Sequence, residues 1–203
     1  MQKKLFLRLE IAGAFIVFII ATLLHFLYDL SPSVLTALFA SVNESIWEHI
    51  KIFSVAFIFY SFVELLWARP SFKRFVVAKT VGLFAQGAFI PLAYYSYTFF
   101  TQKPVLIADL LIGFTGSVLG FLVSYRLYKG NGELEKYFLT ALMFLFLVLM
   151  CLMSFSFFPP KAELFRDVVT GEYGIKANII DRGAVHLQAN TNDVLLRNMM
   201  SQS

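Results

Sequence analysis

Nine consecutive residues, Asn43-Glu44-Ser45-Ile46-Trp47-Glu48-His49-Ile50-Lys51, hold the greatest concentration of chemistry-bearing side chains in this 203-residue chain. Carboxylates can exchange protons or ligate a hard cation, and an imidazole does both near neutral pH. On a helix beginning near Asn43, residues Glu44, Glu48 and Lys51 fall on one face with Trp47 at its edge. His49 is turned about 100° from Glu48 on such a helix. The two are therefore no ready-made chelate and need partners from other helices. Glu48, Glu44, His49 and Asp109 are the candidates for acid/base chemistry, and Asn43, Trp47, Lys51 and His25 for contact with a ligand. A divalent metal is the cofactor that His25, Glu48 and His49 would suit, because imidazole and carboxylate together bind zinc-like ions.

Each of these residues also has an ordinary role available. Acids in a first helical turn are favoured by the helix dipole, and Lys51 stands at i+3 from Glu48, a pairing distance. Trp47 suits a membrane interface. His25 and His49 can be hydrogen-bonded packing residues, and Asp109 can cap its helix. Glu64 lies deeper in an apolar run, beside Arg69 and level with Lys79 and Gln86, where an ion pair and a proton-handling residue are the two readings. The chain has no His-Glu-x-x-His, no His-x-x-x-His, no cysteine pair, no P-loop and no Gly-x-Ser-x-Gly. With His186 far along the tail, a three-histidine zinc site is not expected.

The elements that must position these groups are membrane spans. The chain is 59% hydrophobic and only 15% charged, with 24 Phe and a mean hydropathy of +0.72. Such a composition excludes a disordered chain, a disulfide scaffold and an ordinary soluble enzyme. Crossing the hydrocarbon core takes about 20 apolar residues, and five stretches qualify: 11–28, 52–68, 80–102, 105–125 and 137–158. The expected fold is all-α, a polytopic helical bundle, with residues 1–175 forming the membrane domain. Between the first two spans, Ser31-Pro32 starts a short interfacial or re-entrant helix over Val34–Ala40, and Ser41-Val42-Asn43-Glu44 fits a capping box for the next helix. Gly113, Gly116 and Gly120 make a small face suited to a partner helix or a second copy.

Basic residues cluster at span ends and form no nucleic-acid patch, despite the net charge of +4. One side collects ten Lys and Arg, the other four, so the N-terminus is expected in the cytoplasm and the C-terminus outside a plasma membrane. Residues 176–203 read as a poorly ordered extracytoplasmic tail. By depth, His25, Asp29, Asp109, Tyr94, Tyr95, Tyr97 and Asp167 all fall at the outer level of the Asn43–Lys51 run.

The run Val42-Asn43-Glu44-Ser45-Ile46-Trp47-Glu48-His49-Ile50-Lys51 resembles the signature of a family of small multi-pass bacterial membrane proteins classed only as a domain of unknown function. Leu24-His25-Phe26-Leu27-Tyr28-Asp29, Pro159-Pro160, Leu164-Phe165, Asp167, Thr170-Gly171 and Tyr173-Gly174 fit the same pattern, which covers about residues 8–175. The resemblance implies a bacterial plasma-membrane protein, and it implies that the outer cluster and the segment after the last span form one unit. Three functions compete: an outward-facing pocket for acid/base or metal-assisted chemistry on, or binding of, a lipid or envelope-related molecule; proton- or cation-coupled transport through Glu64; and a non-catalytic assembly subunit.

Overall fold

The computed structural model describes residues 2–175, and the expectations for residues 176–203, His186 included, lie outside the described residues. Six α-helices follow one another: α1 (Gln2–Leu30), α2 (Val34–Phe39), α3 (Ile46–Ala68), α4 (Phe72–Thr101), α5 (Leu106–Lys129) and α6 (Phe138–Ser154). Single 3-10 turns at Leu134–Tyr137 and Glu163–Phe165 complete the described secondary structure, with one isolated bridge between Arg166 and Tyr173. Five helical stretches are long and apolar enough to cross a membrane: α1, α3, α4, α5, and α6 together with the 3-10 turn before it, Leu134–Ser154. The fold is the all-α bundle expected.

The helices outrun the apolar windows at several ends. α1 begins at Gln2 rather than near residue 11, and its first turns bring Phe6 and Leu9 against Ala68 and Phe75. α4 continues through Pro91 to Thr101, as spanning helices can when neighbours re-satisfy the freed carbonyl. α2 is capped by Ser33 rather than started by Ser31-Pro32: the Ser33 hydroxyl accepts from Thr36 N at 3.1 Å, and the Thr36 hydroxyl accepts from Ser33 N at 3.0 Å. α3 starts at Ile46 with Ser45 as its cap, so the capping box expected at Ser41–Glu44 does not form.

α1, α3, α4 and α5 surround the main core, where Val17, Ala21, Phe53, Phe57, Leu83 and Phe121 are buried. α4 and α5 pack closely at Gly82 and Gly120. A Cβ on Gly82 would stand 2.5 Å from the Gly120 carbonyl oxygen, so the two backbones touch only because neither carries a side chain. Gly113 faces the Phe53 ring and Gly116 faces Ile90. Gly113, Gly116 and Gly120 thus pack against α3 and α4 of the same chain, the close helix packing such a small face suits.

Near the N-terminal end of α1 lies a buried charge group. The Lys79 ammonium is 3.1 Å from a Glu10 carboxylate oxygen and also pairs with Glu64, while the Ser124 hydroxyl donates to Glu10 at 3.3 Å. The rings of Phe57, Phe75 and Phe121 surround the ammonium, the nearest centroid at 4.4 Å. Four helices thus share one buried charge cluster, and Glu64 takes Lys79 rather than Arg69. Arg69 is the exposed residue closing α3 in the left-handed conformation, with φ 45°.

The Gly82–Gly120 contact sets a test. Gly82→Leu should destabilise the detergent-solubilised protein by about 1–3 kcal/mol of overpacking, seen as a lowered thermal unfolding temperature. Gly132→Ala, at a position with no neighbour within 4 Å, should leave it unchanged.

Candidate functional site

Residues 41–45 form a tight turn before α3. The Ser45 amide donates to Asn43 Oδ1 at 2.9 Å, the Ser45 hydroxyl accepts from Glu48 N at 3.4 Å, and the Ser41 hydroxyl donates to the Asn43 carbonyl at 2.7 Å. This turn takes Glu44 off the face it would share with Glu48 on a longer helix. Its carboxylate lies beside α1 instead, with His25 Nε2 at 3.3 Å from one oxygen and His49 Nε2 at 3.8 Å from the other.

One donor atom from each of His25, Glu44 and His49 lies within 4.8 Å of the others. Donors bound at ~2.0–2.1 Å to a tetrahedral zinc stand ~3.3–3.4 Å from each other, close to the 3.3 and 3.8 Å between Glu44 and the two imidazoles. His49 Nδ1 is 2.9 Å from the Ser45 carbonyl, which can only accept. Nδ1 therefore carries the proton and Nε2 keeps its lone pair for a ligand, the arrangement typical of metal-binding histidines. The hydrogen bond from His25 holds the Glu44 carboxyl below the usual carboxylate range, against the opposing pull of its partial burial. An ionised carboxylate and an available imidazole nitrogen thus face one point.

That point lies on the wall of a cavity of about 560 Å³ between α1, α3, α4 and α5. Asp109 and Tyr94 also line it. Asp109 is outside the three-donor group; its carboxylate accepts from the Tyr97 hydroxyl at 2.5 Å, and the Tyr97 oxygen accepts from Val105 N at 3.1 Å. The remaining wall is mostly apolar.

The other predicted residues lie elsewhere. Glu48 and Lys51 are 1% and 0% exposed and pair at 2.5 Å. Ser156, just past α6, donates to Glu48 at 2.6 Å and accepts from Lys51 at 2.5 Å. Lys51 also donates to the Ala37 carbonyl in α2 at 3.0 Å, and Glu48 accepts from Val42 N at 3.1 Å. Asn43 donates to the Gly174 carbonyl at 3.0 Å, and Trp47 packs on the rings of Phe155 and Phe165. Asn43, Trp47, Glu48 and Lys51 therefore tie α3 to α2 and to the segment after α6, while His25, Glu44, His49 and Asp109 reach the cavity. Glu48 is not among the donors that meet His25 and His49, because the 100° step between residues 48 and 49 turns it to the opposite neighbour. Sequence reasoning missed Ser156, whose single hydroxyl gives no pattern, and it placed Tyr97 at the outer level without pairing it with Asp109. It also missed Ser45-Ile46-Trp47-Glu48, a second cap-like spacing one turn beyond the one chosen.

A five-span helical bundle with a two-histidine, one-carboxylate group in a cavity near one end defines the class. Residues 2–175 match the model of DUF6512, a family of unknown function, and the chain belongs to that family. No curated protein and no solved structure matches it.

The two glutamates should separate in stability measurements. Glu48→Gln leaves a buried ammonium without its counter-charge and should cost about 3–5 kcal/mol, seen as a lowered unfolding temperature in detergent. The double variant Glu48→Met with Lys51→Met should recover most of that loss. Glu44→Gln, at a partly exposed carboxylate, should unfold within a few degrees of wild type.

Proposed function

We propose that this protein is a plasma-membrane metalloprotein whose His25–Glu44–His49 group holds a divalent cation of the zinc class and serves acid/base chemistry, as a hydrolase or transferase, at the outer face. The observation that carries the reading is the convergence of two imidazoles and an ionised carboxylate, from α1, α3 and the turn between α2 and α3, on one cavity wall. Three protein donors leave a fourth position for water or a substrate oxygen, and a zinc ion there would supply Lewis acidity and lower the pKa of that water. Asp109, held by Tyr97, is the second acid/base group in the same cavity. The excess of Lys and Arg at the other end supports an outward-facing cavity and a cytoplasmic N-terminus.

Transport is the second reading, favoured by one observation: the buried Glu10–Lys79–Glu64 group near the opposite end. A proton or cation path from there to Glu44 has to pass Val17, Phe53, Phe57 and Phe121, which are packed together in the core.

Metal analysis of the protein purified without chelator separates the readings. Near-stoichiometric zinc-class metal is expected in wild type, lost in His25→Ala, Glu44→Ala and His49→Ala, and retained in Asp109→Asn. A wild type that binds no added zinc at micromolar concentration would contradict the metal centre, and proton flux into vesicles abolished by Glu64→Gln would favour transport.

A further inference from the structure

The wall of the cavity includes residues that are also surface residues of the bundle. Phe26 on α1 is 56% exposed, and Leu106 and Leu110 on α5 are 73% and 45% exposed. A side chain that lines a cavity and is open to the exterior marks a mouth, and these three place it on the flank, between α1 and α5. Both are spanning helices, so on that flank the neighbouring medium is lipid. Further toward the N-terminal end of α1 the seam between the two helices is shut by the contacts of Phe15 and Phe18 with Phe114, at 5.4 and 5.7 Å between ring centroids. The opening is therefore confined to the last turns of α1 and the first turns of α5, the depth at which acyl chains meet headgroups.

The rim carries a second apolar feature. After α6 the chain makes a turn closed by Asp167 N to the Glu172 carbonyl and Gly171 N to the Asp167 carbonyl, with the Asp167 carboxylate accepting from the amides of Val169 and Thr170. Its tip presents Val168 and Val169, both exposed and both on the cavity wall. Two exposed valines held at the rim by a rigid turn suit contact with acyl chains rather than water.

Chemistry within the cavity is graded in the same sense. The three-donor group sits where α1 ends and α3 begins, and the wall beyond it is built from Phe18, Phe53, Ile90 and Ile112. A divalent ion held by two neutral imidazoles and one carboxylate keeps one positive charge over and prefers oxygen from an anionic group. We propose that the cavity admits a membrane phospholipid sideways between α1 and α5 and seats its phosphate against the His25–Glu44–His49 group, with the acyl chains passing Phe26 and Leu110 to the bilayer. This rests on the metal reading for the head group and is independent of it for the route.

A photoactivatable phosphatidylglycerol with its reactive group near the glycerol tests this on the full chain in phospholipid vesicles. Label is expected in peptides carrying Thr22–Phe26, Leu106–Gly113 and Val168–Val169. Leu110→Trp, a change at an exposed position, should lower that label several-fold while metal content stays at the wild-type level. Removal of metal by a chelator should lower it similarly. Label spread evenly over the lipid-facing surfaces of α3, α4 and α6 would overturn the proposal, whatever the metal analysis gives. Full competition by soluble glycerol phosphate would overturn it too, by assigning the phosphate site to a water-soluble ligand. Cavity label that persists unchanged without metal would overturn the head-group contact and leave only the route.

Discussion

The structure depends on the requirement that charge inside an apolar bundle be met by an opposite charge and by polar groups from elsewhere in the chain. Lys51 meets it with Glu48, Ser156 and the Ala37 carbonyl, so one ammonium joins α3 to α2 and to the chain beyond α6. Lys79 meets it with Glu10 and Glu64. An unpaired ion in hydrocarbon costs several kcal/mol, so these contacts restrict how the helices can be arranged more strongly than apolar packing, which has little preference between lipid and protein neighbours. The Glu48–Lys51 group also frames the site: it holds one side of α3 against α2 and the segment after α6, and thereby presents His49 on the other side to α1.

Backbone geometry at the start of α3 then decides which acid joins the histidines. Because Ser45 caps the helix, Glu44 stays in the preceding turn and its carboxylate reaches His25 and His49. Had the helix begun at Asn43, Glu44 would lie on the face of Glu48 and Lys51 and add a second negative charge to a group that needs only one. The serine cap therefore separates a carboxylate that pairs with Lys51 from one that reaches the two histidines.

Much of this was legible in the residues. The five spans follow from apolar windows long enough to cross a bilayer, and the divergence of Glu48 and His49 follows from the helical step alone. Shared depth correctly brought His25 and Asp109 to the level of Glu44 and His49. What was not legible depends on contacts distant in sequence. Ser156 lies 108 residues from Glu48, and no local pattern links a lone serine after the last span to an acid at the start of α3. The face Gly113, Gly116 and Gly120 was visible as a packing surface, but its occupant was not, because a small-residue stripe looks the same whether the next helix belongs to the same chain or another. The helix start was ambiguous for a similar reason: Ser41–Glu44 and Ser45–Glu48 have the same spacing, and only the contacts of Asn43 with Ser45 and Gly174 select the second.

The X-ray absorption spectrum of the zinc-loaded full chain tests most directly whether His25, Glu44 and His49 form a metal centre. Expected are nitrogen and oxygen neighbours at ~2.0–2.1 Å with the scattering of two imidazoles, falling to one in His49→Gln and unchanged in Asp109→Asn. Sulfur neighbours, or a spectrum without imidazole scattering that is the same in wild type and His49→Gln, would contradict it.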